Sequence, residues 1–265
     1  MAIITGSARG IGREIALAYA ARGVRVALAD VLEGELANTA TEIKRAGGVA
    51  LAMPTDVTNP QQAGALIEGA EHEFGVPQVL VNCAGRLSNI GPLWEADPER
   101  WWRDVTVNLR GTFLCCRSVV RRMAERGGGY VLNMAGGGVD DPHAYTSAYA
   151  CSKVAVLRLT EALAKEAQPL GIRAFAMQPP VVLTEMVRFI ADSPEGRKWR
   201  PGFRGILKEG PEPMGAIVGL ALRLLSGEFD SLSGRYFEAV SDLDATLAQA
   251  EAIGRDDRLV LRIRR

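Results

Sequence analysis

Short apolar runs alternate with longer amphipathic segments along the whole chain, and this alternation strongly limits the folds open to it. The runs are rich in Val, Ile, Leu and Ala, as expected for strands that are buried on both faces of a sheet. They predict strands at residues 2–5, 24–29, 49–53, 79–82, 130–134 and 173–178. Strands that alternate with helices predict an α/β fold, a parallel, doubly wound sheet of the Rossmann type with helices on both faces.

A single domain accounts for the chain, because no linker or internal repeat divides its sequence. We expect residues 1–240 to form the sheet domain and residues 241–265 to form a C-terminal extension of it. The alternation breaks at about residues 184–213, where prolines and glycines interrupt polar and aromatic residues. An insertion after a strand lies over the ligand crevice of an open α/β sheet, so this segment is predicted to be a substrate lid.

Composition excludes several classes of function. The 31 Lys and Arg residues balance 31 Asp and Glu residues, so we expect no nucleic-acid partner. No apolar run has the length of a membrane span, and no basic stretch followed by a cleavable apolar segment is present. The four cysteines lack metal-ligand spacing, which indicates free thiols and no metal site. The expected protein is cytoplasmic and binds small molecules or copies of itself.

A glycine-rich segment follows the first predicted strand and opens a helix. Gly6, Gly10 and Gly12 lie where the backbone must turn tightly between the two elements. Such a turn lets a pyrophosphate approach the amide groups at the helix N-terminus, although a tight turn without any ligand is an alternative. The segment predicts a dinucleotide site with contacts from Gly6, Ala8, Arg9, Gly10, Ile11 and Gly12.

Asp30 stands near the end of the second predicted strand, 18 residues after Gly12. A carboxylate at this place accepts hydrogen bonds from the adenosine ribose and repels a 2′-phosphate, which favours NAD over NADP. Arg9 favours the opposite choice, because a cation beside the glycine turn pairs with that phosphate. We give Asp30 the greater weight, while its use as a simple turn residue at the strand end stays open.

Four motifs together resemble the classical short-chain dehydrogenase/reductase family. They are the TGxxxGIG pattern at residues 5–12, the segment Asn82-Cys83-Ala84-Gly85, Asn108 between Val107 and Leu109, and the pair Tyr149 and Lys153. The likeness runs from residue 2 to about residue 240. It implies a nicotinamide-dependent oxidoreductase that is a homodimer or homotetramer.

The resemblance also implies further cofactor contacts, from Asp56, Val57, Asn82, Ala84, Gly85, Val182 and Thr184. The first two belong to the adenine site, the next three to the adenosine pocket and the last two to the nicotinamide carboxamide site. Asp56 suits equally well a turn ahead of the helix start at Asn59 and Pro60. Pro180 stands where the family usually has glycine, which stiffens the nicotinamide loop.

Tyr149 and Lys153 are four residues apart, so they share one face of a helix. The lysine ammonium favours the phenolate, which a tyrosine of pKa about 10 rarely forms at neutral pH. Tyr149 then becomes a usable acid and base for an alcohol or ketone oxygen. The resemblance implies that Lys153 also holds the ribose and that Asn108 anchors a water relay.

One catalytic group of the family is absent. The family has a serine thirteen residues before the tyrosine, where this chain has Gly136. Loss of one such donor typically lowers a rate about 100- to 1000-fold. Three explanations remain open. A water molecule or Ser147, Tyr145 or His143 replaces the donor, the substrate carries its own orienting group, or the fold has kept its cofactor and lost redox chemistry. If only the hydroxyl is missing, Gly136→Ser should raise turnover.

Three further segments carry expectations. The lid holds a cationic cluster that could receive a carboxylate or phosphate, or could simply be solvated: Arg197, Lys198, Arg200, Arg204 and Lys208. Trp101 and Trp102 point in different directions, so one is expected in the core and the other at a subunit interface. The extension after Val240 looks amphipathic and is expected to pack across a subunit boundary.

These observations predict an NAD-dependent oxidoreductase that interconverts a secondary alcohol and a ketone. Tyr149 is its acid and base, Lys153 activates Tyr149, and Asn108 belongs to the relay. The alternative is a cofactor-binding protein of the same fold that has lost redox activity and acts as a lyase or as a non-catalytic nucleotide-binding protein.

Overall fold

Within the residues that the computed structural model describes, 1–139, 142–210 and 212–262, seven strands form one parallel sheet. They are β1 (Ala2–Thr5), β2 (Val26–Asp30), β3 (Ala50–Pro54), β4 (Val79–Asn82), β5 (Gly129–Met134), β6 (Ile172–Gln178) and β7 (Tyr236–Glu238). Their order across the sheet is β3-β2-β1-β4-β5-β6-β7. Strand order reverses between β1 and β4, so the doubly wound topology predicted from the sequence is confirmed.

Six of the strands match the predicted runs to within two residues at either end. The prediction missed β7, because a strand of three residues is too short to show an apolar period. The structure also extends β2 by one residue, so Asp30 pairs in register with Pro54 of β3. Asp30 therefore lies at the carboxyl edge of the sheet, where ligands of open α/β sheets bind.

Helices cover both faces of the sheet. They are α1 (Gly10–Ala20), α2 (Glu33–Arg45), α3 (Pro60–Phe74), α4 (Pro98–Val105), α5 (Thr112–Arg126), α6 (Ser147–Ala167), α7 (Glu185–Asp192), α8 (Pro194–Trp199), α9 (Phe203–Glu209), α10 (Met214–Leu224), α11 (Leu243–Ala248) and α12 (Ala250–Arg255). A π-helical turn, Thr106–Gly111, joins α4 to α5.

Successive residues of the central strands enter two different apolar layers. Ala2 and Ile4 of β1 pack in the layer that includes residues of α1 and α10, whereas Ile3 packs in the layer that includes residues of α3 and α5. All three side chains are fully buried. This two-sided burial is the physical reason for the continuous apolar runs in the sequence.

The predicted lid is helical rather than irregular. Three short helices, α7 to α9, fill residues 185–209, and two of them begin at a side-chain cap. The Thr184 hydroxyl accepts a hydrogen bond from the Val187 amide, and the Ser193 hydroxyl accepts one from the Gly196 amide. Pro194, interpreted as a loop signal, instead begins α8, because proline suits the first helical position. Pro211, within the predicted lid, lies outside the described residues.

The C-terminal extension packs on its own chain, and its expected place at a subunit boundary stays a prediction. Ile253 of α12 is buried in the apolar layer beside α1 and α10. The Tyr236 amide donates to the Leu259 carbonyl at 2.9 Å, so the segment after α12 covers the β7 edge. The Leu261 amide donates to Oε1 of the buried Glu161 on α6 at 2.7 Å. Residues 263–265 of the predicted extension lie outside the described residues.

In the part of the chain that the structure describes, no helix combines the length and the apolar character needed to cross a membrane.

Candidate cofactor and active site

The glycine turn after β1 leaves no room for side chains. Gly6 and Gly10 have positive φ angles of 66° and 59°, which favour glycine. A Cβ atom on Gly6 would lie 2.6 Å from the Ala84 amide nitrogen, and one on Gly12 would overlap the Gly6 carbonyl oxygen. The turn therefore packs directly on the segment after β4 and against its own helix. Among the described residues no side chain caps α1 at Arg9, so the first amides of α1 remain open to an anion.

Asp30 lies directly beside this turn. Its carboxylate accepts hydrogen bonds from the Ala8 amide at 3.1 Å and from the Leu32 amide at 3.2 Å. The bond from Leu32 corresponds to the turn role at the strand end that the sequence left open. The bond from Ala8 joins the carboxylate to the glycine turn of the predicted dinucleotide site. Thr39 of α2, which the sequence reasoning missed, donates its hydroxyl to the Ala8 carbonyl at 3.1 Å. The contact depends on the packing of α2 on the turn, so no local sequence pattern predicts it.

The Arg9 side chain turns toward a second carboxylate. Its guanidinium lies 4.0 Å from the Glu35 carboxylate, and both side chains are about half exposed, at 52% and 49%. Glu35 belongs to the first turn of α2 and was not among the predicted site residues. Arg9, the arginine considered as a partner for a 2′-phosphate, therefore has Glu35 within ion-pair distance, while Asp30 is bonded to the neighbouring Ala8 amide.

Asp56 has the structural role that the sequence offered as an alternative. Its carboxylate accepts hydrogen bonds from the Thr58 amide at 2.9 Å and from the Thr58 hydroxyl at 2.7 Å. Its own amide donates to Gln62 of α3 at 2.7 Å. The neighbouring Val57 is buried, and a Cβ atom on Gly111 would lie 3.3 Å from the Val57 Cβ. Val57 thus packs the loop after β3 against the π-helical turn, and Asp56 fixes the turn between that loop and α3.

The Asn82 side chain points into the protein interior. Its Nδ2 donates to Oδ1 of Asn133 at 2.8 Å, and Asn133 Nδ2 donates to the Thr160 hydroxyl at 2.9 Å. All three side chains are buried, so they form a polar chain between β4, β5 and α6. The sequence reasoning assigned Asn82 to the adenosine pocket and missed Asn133 and Thr160, because their partners come from distant segments.

The segment after β4 and the loop after β6 both meet the glycine turn. The Ala84 amide donates to the Thr5 hydroxyl at 3.2 Å. A Cβ atom on Gly10 would lie 3.5 Å from the Thr184 Cγ2 atom, so Thr184 flanks the start of α1. Val182 is 2% exposed, and its side chain packs in the apolar layer of α1. Of the predicted pair, Thr184 alone has its side chain at the turn.

Asn108 occupies the π-helical turn and is fully buried. Its Oδ1 accepts a hydrogen bond from the Arg86 amide at 2.7 Å, and its Nδ2 donates to the Arg86 carbonyl at 2.9 Å. The same Nδ2 donates to the Ser152 hydroxyl at 2.9 Å. Asn108 therefore joins the loop after β4 to α6 at the place where α6 carries Tyr149 and Lys153. Isolated π-helical turns are frequent at functional sites.

Lys153 is buried beneath Tyr149. Its Nζ atom donates to the Met134 carbonyl at 2.8 Å and lies 5.5 Å from the centroid of the Tyr149 ring. A Cβ atom on Gly85 would lie 3.7 Å from Nζ, so the segment after β4 reaches the same place. Burial lowers the pKa of Lys153 to about 8. The lysine is therefore mostly protonated at neutral pH, but close to losing its charge.

Burial raises the pKa of Tyr149 to about 12, since it disfavours the phenolate. This direction is opposite to the lowering expected from the sequence. The reason is that removal of the phenol from water outweighs the ammonium, whose Nζ lies 5.5 Å from the ring centroid. Tyr149 is consequently a neutral phenol in the protein without ligands.

Three consecutive glycines pack against the start of α6. A Cβ atom on Gly136 would overlap the Tyr149 hydroxyl and would lie 3.0 Å from Cζ of the same ring. One on Gly137 would overlap the His143 imidazole, and one on Gly138 would lie 2.6 Å from the Ala150 Cβ. The phenol thus fills the space in which the side chain of residue 136 would begin.

The family model described as short chain dehydrogenase matches residues 1–195. The chain belongs to that family. A short chain dehydrogenase of Pseudocercospora fijiensis is 32% identical over 261 residues, which are 96% of this chain and 84% of the relative. D-threitol dehydrogenase of Mycolicibacterium smegmatis is 35% identical over 196 residues, 74% of this chain and 75% of the relative. The structure of gluconate 5-dehydrogenase from Burkholderia cenocepacia in complex with NADP and tartrate has a TM-score of 0.80 at 28% identity and covers 94% of each chain.

Short-chain dehydrogenases are oxidoreductases that use a nicotinamide dinucleotide, and the residues of this short-chain dehydrogenase fit such a group. Added Cβ atoms on Gly6 and Gly12 would collide with backbone, so only glycine keeps the turn tight enough for a pyrophosphate to reach the α1 amides. Asp30 stands beside Ala8 of that turn. Thr184 lies beside Gly10 at the other end.

The three side chains considered as replacement donors in this short-chain dehydrogenase have different surroundings. The Ser147 hydroxyl accepts a hydrogen bond from Trp101 Nε1 at 3.0 Å. The Tyr145 ring packs on the Trp199 ring, with centroids 4.9 Å apart, and the Tyr145 backbone has a positive φ of 67°. The His143 imidazole lies against Gly137, next to the position of the absent serine. His143 is therefore the candidate that the fold brings nearest to the glycine run.

The two adjacent tryptophans are divided between the interior and the surface. Trp101 is partly buried and bonded to Ser147 of α6, whereas Trp102 is 60% exposed. The sequence interpretation placed one of them in the core and the other at an interface. The two side chains do point in different directions, as predicted, and the interface at Trp102 remains a proposal.

Proposed function

We propose that this chain is an NAD-dependent oxidoreductase that interconverts a secondary alcohol and a ketone. The observation that carries this proposal is the placement of Tyr149 above the buried Lys153, with Asn108 and the glycine turn on the same edge of the sheet. The bound dinucleotide supplies the hydride acceptor for alcohol oxidation and the hydride donor for ketone reduction. The protein supplies the proton transfer, the orientation of the substrate and the exclusion of water.

Tyr149 exchanges a proton with the substrate oxygen. Its raised pKa of about 12 makes it a neutral phenol, ready to donate a proton to the developing alkoxide of a ketone. Alcohol oxidation needs the phenolate, which the charged Lys153 stabilises while its ammonium is held by the Met134 carbonyl. Asn108 holds α6 in place through Ser152 and so positions both residues.

We propose NAD as the preferred coenzyme. A 2′-phosphate at the ribose would lie close to Asp30, which is bonded to the Ala8 amide. Arg9 offers that phosphate limited help, because Glu35 already lies within ion-pair distance of its guanidinium. The two carboxylates therefore act in the same direction, against the additional negative charge.

The donor that Gly136 lacks comes, in this proposal, from His143. Its imidazole is packed against Gly137, one residue from the glycine that replaces the family serine. Either ring nitrogen can carry a proton, so the imidazole can donate a hydrogen bond to the substrate oxygen. His143→Phe keeps the ring and removes the donor. A fall in kcat without a change in coenzyme affinity would support this assignment, and unchanged kcat would leave a water or the substrate as the donor.

We also propose a homodimer or homotetramer. Two large apolar side chains stand exposed on consecutive helices, Trp102 on α4 at 60% and Phe113 on α5 at 46%. Exposed aromatic residues on one side of a protein commonly mark an interface. The mass of the particle in solution, measured by light scattering, tests this assembly.

The direct test is a panel of secondary alcohols with NAD and NADP, and of ketones with the reduced coenzymes, read as appearance or loss of reduced nicotinamide. The wild-type chain should turn over at least one neutral pair. Tyr149→Phe should lower kcat about 100- to 10,000-fold while coenzyme affinity stays unchanged, because the ring remains and only the proton donor is lost. Coenzyme binding with no turnover in either direction would favour the lyase or non-catalytic alternative. No affinity for either coenzyme would refute the proposal.

A further inference from the structure

The lid brings an apolar surface to Tyr149. Six side chains form what we call the lid cluster, and they pack together with the Tyr149 ring: Leu87, Ile90, Met186, Ile190, Trp199 and Phe203. Leu87 and Ile90 come from the loop after β4, and the other four come from the three lid helices. Leu87, Ile90 and Ile190 are each less than 10% exposed. The phenol that carries the proposed chemistry therefore faces hydrocarbon.

Helix α7 is oriented by its own amphipathic pattern. Met186 and Ile190 are four residues apart and lie on the same face, toward the cluster. Glu185 and Arg188 are exposed on the other side, with their charged groups 3.8 Å apart. The helix would have to rotate to bring a charge to Tyr149, and Ile190 would then be exposed to water.

The cationic cluster of the lid lies outside this surface. The side chains of Arg197, Lys198, Arg204 and Lys208 belong to exposed residues, and none of them is part of the cluster. Lys198 lies over the Trp199 ring, with its Nζ atom 4.5 Å from the ring centroid. Their exposed placement favours the solvated alternative over the binding of a carboxylate or phosphate.

Arg200 is the cation nearest to the cluster, and it is already engaged. Its NH1 group donates to the Ala144 carbonyl at 3.3 Å. Its guanidinium carbon lies 5.0 Å from the centroid of the Phe203 ring. Partial burial lowers the pKa of Arg200. The contacts tie the lid to the segment before α6 and hold the guanidinium against the Ala144 carbonyl and the Phe203 ring.

We propose that the lid cluster is the substrate compartment, and that it selects uncharged alcohols and ketones whose two substituents are hydrocarbon or aryl groups. This inference rests on the proposed function, because it concerns the substrate of the same Tyr149. An anionic substrate would place its carboxylate among Ile90, Ile190 and Phe203, and none of these side chains can form an ion pair with it, which is strongly unfavourable. A neutral substituent of similar size would make apolar contacts with the cluster side chains, in place of the contacts that these side chains make with one another.

Matched substrates test the selection in the complete enzyme. One member is an unbranched methyl ketone with a terminal methyl group, and the other has the same length with a terminal carboxylate. We expect kcat/KM to be at least about 100-fold higher for the neutral ketone, because only the carboxylate must be desolvated. A carboxylate that is used as well as the neutral ketone, or better, would overturn the proposal.

Variants on the two faces of the lid sharpen the test. Ile190→Lys places a cation inside the compartment. It should lower the ratio of kcat/KM for the neutral ketone to kcat/KM for the carboxylate at least about tenfold, with coenzyme affinity unchanged. Arg197→Ala, on the exposed face, is the matched control and should leave the ratio unchanged. If Ile190→Lys fails to fold, Phe203→Leu should lower kcat/KM for aryl ketones more than for short aliphatic ones. Loss of anionic turnover in Arg197→Ala would overturn the proposal.

Binding separates this inference from the proposed function. If no alcohol or ketone is turned over, the oxidoreductase proposal fails, but calorimetry can still compare a neutral aryl amide with its carboxylate on the coenzyme-loaded protein. Tighter binding of the neutral amide, weakened in Ile190→Lys and unchanged in Arg197→Ala, would support the apolar compartment. Equal or tighter binding of the carboxylate would refute it.

Discussion

The Tyr149 hydroxyl lies in the space where the side chain of residue 136 would begin. A Cβ atom on Gly136 would overlap that hydroxyl and lie 3.2 Å from Cε1 of the ring. The absent serine and the placement of the tyrosine are therefore one structural feature, in which glycine allows the phenol to pack on the loop after β5. Tyr149 is held there from the other side by the lid cluster.

Restoring the serine should consequently harm the enzyme instead of repairing it. Gly136→Ser must displace the Tyr149 ring from its present position, and a displacement of about 1 Å at a catalytic group can lower a rate about 100-fold. We expect kcat to fall about 10- to 100-fold with coenzyme affinity little changed. Gly64→Ala is the control, because a Cβ atom there meets nothing within 4 Å. A rise in kcat for Gly136→Ser would show that the phenol moves freely and that only the hydroxyl is missing.

The burial of Lys153 should appear as a pH dependence of stability. Its pKa is lowered to about 8 in the folded protein from 10.5 in the unfolded chain, so the folded state binds fewer protons between these values. Below about pH 8 the lysine is charged in both states, and its desolvation opposes folding in full. Lys153→Met should therefore be more stable than the wild type at pH 7 by about 1 to 3 kcal/mol. This advantage should shrink as the pH rises from 8 toward 10.5.

Urea unfolding between pH 6 and pH 10 measures this difference. Lys165→Met, a substitution on the exposed side of α6, is the matched control and should show no such trend. Turnover of Lys153→Met should be lost at every pH, because the phenolate loses its ammonium. A wild type that is more stable than Lys153→Met at pH 7, by a margin that does not change with pH, would contradict the burial penalty.

The ion pair between Arg9 and Glu35 should influence the choice of coenzyme. Glu35→Gln removes the carboxylate that lies 4.0 Å from the guanidinium and leaves Arg9 available to a 2′-phosphate. The pair is about half exposed, so the effect is modest, and we expect NADP affinity to rise about two- to fivefold while NAD affinity stays constant. Fluorescence titration of both coenzymes measures the ratio. Glu33→Gln, in the same helical turn, is the control, and an equal change there would show a general charge effect without a specific role for Glu35.

The polar chain from Asn82 through Asn133 to Thr160 should act as one unit. Asn133→Ala removes two buried hydrogen bonds, the one it accepts from Asn82 and the one it donates to Thr160, and we expect a loss of about 2 to 4 kcal/mol in unfolding free energy. Asn82→Ala removes one bond of the same chain, so the double variant should lose less than the sum of the two single losses. Denaturant unfolding of the three variants measures the coupling. Additive losses, within about 0.5 kcal/mol, would show that the two asparagines act independently.

Much of the framework was predictable because its signals are local. A strand buried on both faces must be apolar over its whole length, so six of the strands could be located from the apolar runs in the sequence. The positive φ angles of Gly6 and Gly10 and the four-residue spacing of Tyr149 and Lys153 are likewise properties of short segments. The family resemblance rests on these same segments, and the match over residues 1–195 confirms it.

Other features depend on segments far apart in the chain, and only the tertiary structure decided them. The sequence shows a cationic lid, but the packing of Met186, Ile190 and Phe203 turns the lid cations outward. The spacing of Tyr149 and Lys153 suggests a lowered tyrosine pKa, but burial raises it, because desolvation depends on everything packed around the phenol. The sequence thus determined the first six strands and where glycine is required. The assembled fold decided which charged side chains face water and how far burial shifts the pKa of a group such as Tyr149.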